Sequence, residues 1–439
     1  MPRVALIYPE VYDVARFHEL RKEFPPFGVL YLAAILERDG YEVSLLAATS
    51  DIVSVDLSSF DAIGVSIASS ATVNLLANYL SRATIDPETK VAAGGVHATF
   101  YPDEVMTDLP VDMVCYEEAD LTISSLIEVM IAGHLPEAIP GMLYRRDDGT
   151  VGRTPPSAVT AELDSLPMPA RHLLPKSDII MTDRLAGYEI PIAHVMFSRG
   201  CPYSCAYCAA GNTPIRYRSG ASARAELEEL ATSFGIEGFA LVDDNFIVRR
   251  TAVLDICREV RPLGLKWSAL SRVDTVNRAL LDELAASGCV EIKYGIESGS
   301  EWLLRQMKKQ TRLSRIIKTV NDTVDAGIKV KAFVIHGYPG ETLQTTRETI
   351  ALLSDLSQQI DRVSLFRFVP LPGTSAYTNF LELGIRGTHL DRRRWDGDWS
   401  KFHIHHNDRH WWGSDDQFAE VSESFEELNS FVLQTFGDR

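Results

Sequence analysis

The stretch RGCPYSCAYCAAG, Arg199 to Gly211, places three of the chain's six cysteines within eight residues. Cys201, Cys205 and Cys208 are spaced CxxxCxxC, and the thiolate is a soft ligand suited to zinc or to iron–sulfur clusters. Structural zinc normally takes four protein ligands, so a zinc site here needs a fourth from elsewhere, such as Cys257 or a histidine. A cubane cluster held by three cysteines instead leaves one iron open to a substrate or cofactor. A disulfide is the least expected use. The start MPRVALIYPE lacks the basic, apolar and small-residue segments of a signal peptide. A cytoplasmic location is expected, and there thiols stay reduced.

The residues around the triplet say where it sits. AHVMFSRG runs into it as a strand, and GFALVDD, LKWSALSR, VEIKYGIES, KVKAFVIHG and DRVSLFRFVP follow as further strands separated by helical stretches. That alternation makes roughly six βα units, a partial (β/α)6 TIM-type barrel over 191–375, with the triplet at the strand end where such barrels carry chemistry. Residues 376–439 read as a small α-rich cap with a final helix. Its stretch DGDWSKFHIHHNDRHWWG offers His403, His405, His406, His410, Trp411 and Trp412, either as a lid or substrate contact or as plain packing on the barrel. Cys115, Cys257 and Cys289 fall in apolar strand or helix contexts and read as inert core thiols.

Upstream, VALIYP, YEVSLL, AIGVSI, KVAAGG and VDMVCY alternate with helical stretches that include Phe27 to Asp39 and ATVNLLANYLSRA. This pattern predicts a Rossmann-like doubly wound α/β domain over 1–145. Residues 146–190, with RRDDGTVGRTPP and LDSLPMPARHLLP, read as an irregular linker. A doubly wound sheet binds ligands beyond its strand ends. There SIASSATVN supplies Ser69, Ser70 and Thr72, which suit an anion at a helix N-terminus but equally suit helix caps. AAGGVHATFYPDE supplies Gly94, Gly95 and His97, where glycine lets a large ligand approach the backbone.

The chain of 439 residues is 46% hydrophobic with a formal net charge of −17. Nucleic-acid binders concentrate positive charge, so a small-molecule substrate is favoured and a nucleic-acid partner is not expected. No run approaches the roughly 18–20 apolar residues of a membrane span.

The triplet, with aromatic Tyr207 just before the last cysteine, resembles the signature of the radical S-adenosylmethionine (SAM) enzymes. The resemblance implies a [4Fe–4S] cluster on Cys201, Cys205 and Cys208, with the amino and carboxylate groups of SAM on the fourth iron. It further implies one-electron reduction by a flavodoxin- or ferredoxin-type partner and cleavage of SAM to a 5′-deoxyadenosyl radical. Tyr207 would flank the adenine. LVDDNF stands where the family often has Gly-Gly-Glu, so Asp243 or Asp244 would receive the SAM ammonium, the plainer alternative being a helix cap by Asp244 or Asn245. SRVD gives Arg272 for the SAM carboxylate, or else a structural pair with Asp274 or Glu297. GIESGS gives Glu297 for the ribose hydroxyls. HGYPGET gives Gly337 and Gly340 for close approach to adenine, and PLPGT resembles the family's closing element.

The first half, with PPFGVLYLAAILERDGYEV and GGVHATFYPDE, resembles the cobalamin-binding domain that precedes many radical SAM barrels. On that resemblance Ser69, Ser70, Thr72, Gly94, Gly95, His97 and Glu117 would line cobalamin, with His97 on a backbone or phosphate side rather than on cobalt. The DxHxxG motif of other cobalamin proteins is absent, and Glu117–Glu118 replaces the usual Gly-Glu. The implied function is a cobalamin-dependent radical SAM methyltransferase. It would methylate an unactivated carbon of a small biosynthetic intermediate through the deoxyadenosyl radical and methylcobalamin. No proton-transferring catalytic residue is identified. The alternatives are a cobalamin-linked cyclase, ring-contraction or rearrangement enzyme and, more distantly, a zinc-stapled binding module. A methylthiotransferase is disfavoured because the first half holds only Cys115.

Overall fold

The computed structural model describes residues 1–10, 12–13, 21–22, 25–379, 399–402 and 415–437. It divides into two units, Met1–Ile179 with Trp395–His403, and Ile180–Arg394 with Ile404–Arg439.

The first unit is built on a seven-stranded sheet. Its strands are β1 (Arg3–Pro9), β2 (Glu42–Ala48), β3 (Ala62–Ser66), β4 (Lys90–Gly94), β5 (Met113–Cys115), β6 (Met142–Arg145) and β7 (Val151–Arg153). Their order is β7-β6-β5-β4-β3-β1-β2. Strands β1 to β5 are parallel, whereas β6 and β7 run antiparallel at one edge. Helices α1 (Phe27–Arg38), α2 (Val73–Ser81) and α3 (Ile123–Ile131) bury their apolar faces in this unit. Val4, Leu6, Leu36, Leu126 and Met142 join one core, as expected when short apolar strands are covered by amphipathic helices. The parallel order 2-1-3-4-5 reverses between β1 and β3, the switch point at which such sheets take ligands.

The second unit carries β8 (Ile180–Leu185), β9 (Tyr188–Val195), β10 (Gly238–Leu241), β11 (Lys266–Ser271), β12 (Cys289–Glu297), β13 (Lys329–His336) and β14 (Ile360–Arg367). They pair in sequence order; β9 to β14 are parallel, and only the edge pair β8–β9 is antiparallel. This is the six-stranded partial barrel. Its helices include α4 (Gly220–Phe234), α5 (Arg250–Val260), α6 (Arg278–Ala286), α7 (Leu313–Asp325) and α8 (Leu343–Asp355). Local chemistry sets their ends: the Asn277 side chain caps α6, Thr342 and Thr345 form a capping box on α8, and left-handed Gly235 ends α4. Buried Trp267 on β11 stacks on Phe239 at 5.8 Å and donates to the Ser287 carbonyl at 3.0 Å. The last helix, α9 (Asp415–Phe436), packs on α8 and β14.

Two features depart from the expected irregular connection at 146–190. Strand β7 extends the first sheet, and β8 forms a hairpin with β9 before the barrel begins. The hairpin turns on Ala186 and Gly187, with φ of 53° and 90°, the paired positive values of a type I′ turn. The expected tail is also divided, since Trp399–Phe402 packs in the first unit, with the Trp399 indole N–H 2.9 Å from Asp108 Oδ2. His403, His405, His406, His410, Trp411 and Trp412 lie outside the described residues.

Candidate active site

The cysteine loop leaves β9 through a short ribbon in which Ser198–Arg199 pairs with Arg216–Tyr217. Left-handed Gly200 (φ 91°) is required there, because a Cβ would lie 2.4 Å from the Pro214 carbonyl oxygen. Inside the loop, Cys201 N–H donates to Thr213 Oγ1 at 2.8 Å and Asn212 N–H to the Tyr203 carbonyl at 2.9 Å. Ala206 ties the loop to the barrel through hydrogen bonds with Met307 and Ala376. None of the three cysteines is in a disulfide.

The thiols are close enough to act on one another electrostatically. Burial raises the Cys201 thiol, and it pushes Cys208 up to about 11, with the neighbouring sulfurs adding to both. Metal-free, Cys208 therefore holds its proton at neutral pH; iron must displace it. Among the described residues no three His, Cys, Asp or Glu side chains converge on a single ion. The loop supplies three thiols, one fewer than the four protein ligands that structural zinc normally takes.

Tyr207 and Glu297 meet. The Tyr207 hydroxyl donates to Glu297 Oε1 at 2.8 Å, and Lys309 Nζ reaches the same oxygen at 2.7 Å and the Tyr207 hydroxyl at 3.1 Å. Glu297 ends β12 at a register irregularity after Gly295 and takes φ of 67°. Such an irregularity re-aims a side chain. Gly295 makes the space: a Cβ there would lie 2.3 Å from Glu297 Oε1 and 2.6 Å from Lys309 Nζ. Burial holds the Tyr207 phenol well above its ordinary range, so it remains a donor.

Lys309 escaped the sequence reading because MKKQ resembles a solvated charge run. Left-handed Lys308 (φ 53°) and Gln310 (φ 55°) flank it, and Lys309 is buried. A buried lysine requires a partner, but nothing in its spacing names Glu297, twelve positions earlier.

Arg272 takes the structural pairing as well as the site. Its Nε and Nη2 bind the two oxygens of Asp274 at 2.9 and 3.0 Å, Nη2 also donates to the Lys309 carbonyl, and Nη1 lies 3.1 Å from Cys205 Sγ. The guanidinium also covers the Tyr203 ring at 4.0 Å.

The two aspartates separate. Asp243 turns into the protein, accepting from Phe197 N–H at 3.2 Å and from the Ser198 hydroxyl, so it braces the loop's stem. Burial pushes its carboxyl up to about 7 against those hydrogen bonds. Asp244 is reached by solvent in a recess that raises its carboxyl, and its charge is felt at Cys201 and Cys208. Neither Asp244 nor Asn245 caps a helix, for α5 starts at Arg250 without a side-chain cap. Gly337 (φ 83°) has its N–H taken by Glu341 at 3.3 Å. The space above Gly340 is filled by Trp302, whose ring would lie 2.4 Å from a Cβ, so packing accounts for that glycine.

In the first unit the proposed cobalamin residues gather beyond β3 and β4. Ser69 caps its own turn by accepting from Ala71 N–H at 3.3 Å, and Thr72 donates to the Ser69 carbonyl at 2.7 Å. Gly95 (φ 104°) is demanded by the backbone, as a Cβ would lie 2.8 Å from the Ile67 carbonyl oxygen. A Cβ on Gly94 would make only an ordinary contact. Glu117 (φ 71°) donates its N–H to Thr99 Oγ1 at 2.9 Å. His97 is buried, with Nδ1 2.8 Å from Ser70 Oγ, Nε2 without a hydrogen-bond partner, and the Trp399 ring edge-on at 4.4 Å. Burial lowers its pKa to about 4, so the ring is neutral. A buried nitrogen without a partner beside the switch point fits a ligand-lined loop.

The comparisons agree with both halves. The Radical SAM superfamily model matches residues 195–353, and the B12 binding domain model matches 15–127. An uncharacterized methyltransferase of Pyrococcus horikoshii is 28% identical, the match covering 80% of this chain and 77% of that protein. The cytidylyl-2-hydroxyethylphosphonate methyltransferase of Streptomyces wedmorensis is 26% identical, over 84% and 80%. An anaerobic magnesium-protoporphyrin IX monomethyl ester cyclase of Rubrivivax gelatinosus is 25% identical, over 87% and 70%. In fold, the chain is similar to the radical SAM methyltransferase TsrM of Kitasatospora setae, with a TM-score of 0.71 at 17% identity, covering 99% of this chain and 89% of that one. The chain therefore carries a B12-binding domain followed by a radical SAM domain, the domains that take cobalamin and a [4Fe–4S] cluster with SAM.

Proposed function

We propose that the protein is a cobalamin-dependent methyltransferase that places a methyl group on an unactivated carbon of a small biosynthetic intermediate. The observation that carries this reading is the meeting of the cysteine loop, Tyr207, Glu297, Lys309 and Arg272 at one end of the barrel, together with a switch-point site in a separate B12-binding unit. When bound, the reduced cluster and SAM supply a carbon-centred radical that removes a substrate hydrogen, and cobalamin supplies the methyl group.

The chain's own residues bind and orient. Cys201, Cys205 and Cys208 would hold the cluster and leave one position on it for SAM. Glu297 offers its second carboxylate oxygen to the ribose while Tyr207 and Lys309 hold the first. Asp244 stands open to an ammonium, whereas Asp243 keeps the loop's stem in place. Gly337 and the strand end around it border the adenine. In the first unit, the turn at Ser69, Ser70 and Thr72, with Gly94, Gly95, His97 and Glu117, receives cobalamin. The electron comes from an external flavodoxin- or ferredoxin-type donor. Among the described residues no helix is long and apolar enough to cross a membrane.

The test is anaerobic reconstitution with iron, sulfide and hydroxocobalamin, followed by candidate substrates and methyl-labelled SAM. Label in the product supports methylation. A turned-over product with 5′-deoxyadenosine but no label assigns the chain to cyclisation or rearrangement instead, as the name of the Rubrivivax relative would suggest. Failure to retain cobalamin removes the methylation reading and leaves the radical SAM chemistry.

A further inference from the structure

We propose that Arg272 donates a charge-assisted N–H···S hydrogen bond to the Cys205 thiolate and thereby raises the reduction potential of the cluster. This rests on the reading of the cysteine loop as the [4Fe–4S] site and goes beyond it by giving Arg272 a task on the cluster itself rather than on the SAM carboxylate.

The geometry leaves this guanidinium little other freedom. Nε and Nη2 are fixed by the two oxygens of Asp274, Nη2 is shared with the Lys309 carbonyl, and the plane lies on the Tyr203 ring. Only Nη1 points at the loop, 3.1 Å from Cys205 Sγ. The side chain is 6% exposed and Asp274 26%, so the cation is tethered in a site of reduced polarity, where its field is weakly screened. An arginine fork anchored on one carboxylate is pre-organised, and little entropy is lost in aiming its free N–H. Adding one electron from the external donor makes the cluster and its three thiolates more negative by one charge. A fixed cation and a donated hydrogen bond on one sulfur favour that reduced form, and hydrogen bonds to sulfur are among the levers that set such potentials. Asp274 offsets part of the cation's charge and fixes its direction, and the N–H···S bond from Nη1 acts on the sulfur directly.

The experiment is an EPR-monitored redox titration of the reconstituted full-length protein without SAM, in wild type, Arg272→Met and Arg272→Lys, each checked for iron and sulfide content. Arg272→Met should hold the reduced cluster on the order of tenfold less favourably, about 59 mV lower for a one-electron couple. Arg272→Lys, which keeps charge without the fork, should fall between. Should Arg272→Met load no cluster, the comparison is wild type against Arg272→Lys, which should be shifted downward. Unchanged potentials in loaded variants overturn the proposal, as does a shift that emerges only when SAM is added. Absence of any [4Fe–4S] signal from wild type would instead remove the underlying reading of the site.

Discussion

Gly295 in the barrel and Gly95 in the first unit both stand where a Cβ would collide, but with different neighbours. At Gly295 the obstructed atoms are a carboxylate oxygen and an ammonium, Glu297 Oε1 and Lys309 Nζ. At Gly95 they are backbone atoms of Ile67. One glycine makes room for a set of functional side chains; the other lets two strand ends pass. The same contrast runs through both sites. In the barrel, polar side chains bind one another around a space. Beyond β3 and β4, Ser69 and Thr72 satisfy their own turn, and His97 Nε2 stands apart as a buried atom without a hydrogen-bond partner. A site for a chelated cluster and a small nucleoside has to be assembled from side chains, whereas a large cofactor can be received by loop backbone.

The largest expected effect breaks the barrel side of this comparison. Replacing Cys201, Cys205 or Cys208 by Ala should abolish cluster loading and 5′-deoxyadenosine formation, at least about 10³-fold, while cobalamin retention by the first unit stays near wild type. Iron analysis and product chromatography read the first, absorbance of bound cobalamin the second.

Next comes the pair of glycines themselves. Gly295→Ala should displace the Glu297 carboxylate and weaken SAM binding on the order of 30-fold, about 2 kcal/mol, with cobalamin binding intact. Gly95→Ala should do the reverse: a strained φ and a backbone clash destabilise the first unit by about 2 kcal/mol and lower cobalamin retention without touching the SAM affinity. Equilibrium dialysis with each ligand on both variants decides it; an equal loss of both ligands in either variant would dissolve the contrast. Lys309→Met should weaken SAM binding about tenfold, since it leaves Glu297 buried without its counter-ion, and Lys309→Arg should recover part of that loss.

His97 gives an effect that is read through pH and is confined to the stability of the first unit. Its folded pKa of about 4 lies below the ordinary 6.5, so between these values the unfolded chain binds more protons than the folded one. Its contribution to stability is fully present above 6.5 and declines as pH falls towards 4, by at most about 3 kcal/mol. Melting curves from pH 7 to pH 4.5 should show His97→Gln losing less stability on acidification than wild type. Parallel declines would mean that His97 does not titrate in this window. The smallest effect is expected for Ser69→Ala, about 1 kcal/mol from a lost turn cap, seen in the first unit's melting alone.

Much of this was legible in the sequence, for identifiable reasons. Periodicity placed the barrel strands, and the resemblance of the cysteine triplet to the radical SAM signature then pointed to Tyr207 in the loop and to Arg272 and Glu297 at strand ends. The antiparallel additions were not legible. Strand β7 is three residues long inside a Pro/Gly-rich stretch, and the β8–β9 turn uses Ala186 where asparagine would have signalled a hairpin. Lys309 was hidden because burial of a charge is decided by a partner distant in the chain. The sequence reading treated Asp243 and Asp244 as interchangeable; a strand end alternates its side chains, and only the fold shows that one braces the loop while the other faces solvent.

The most direct measurement is the EPR spectrum of the anaerobically reconstituted, dithionite-reduced protein, recorded with and without SAM. The cysteine loop, which offers three thiols to a cluster of four irons, predicts a [4Fe–4S]⁺ signal whose g-values shift when SAM is added. Zinc in place of iron and sulfide, or a cluster signal that SAM leaves unchanged, would contradict it.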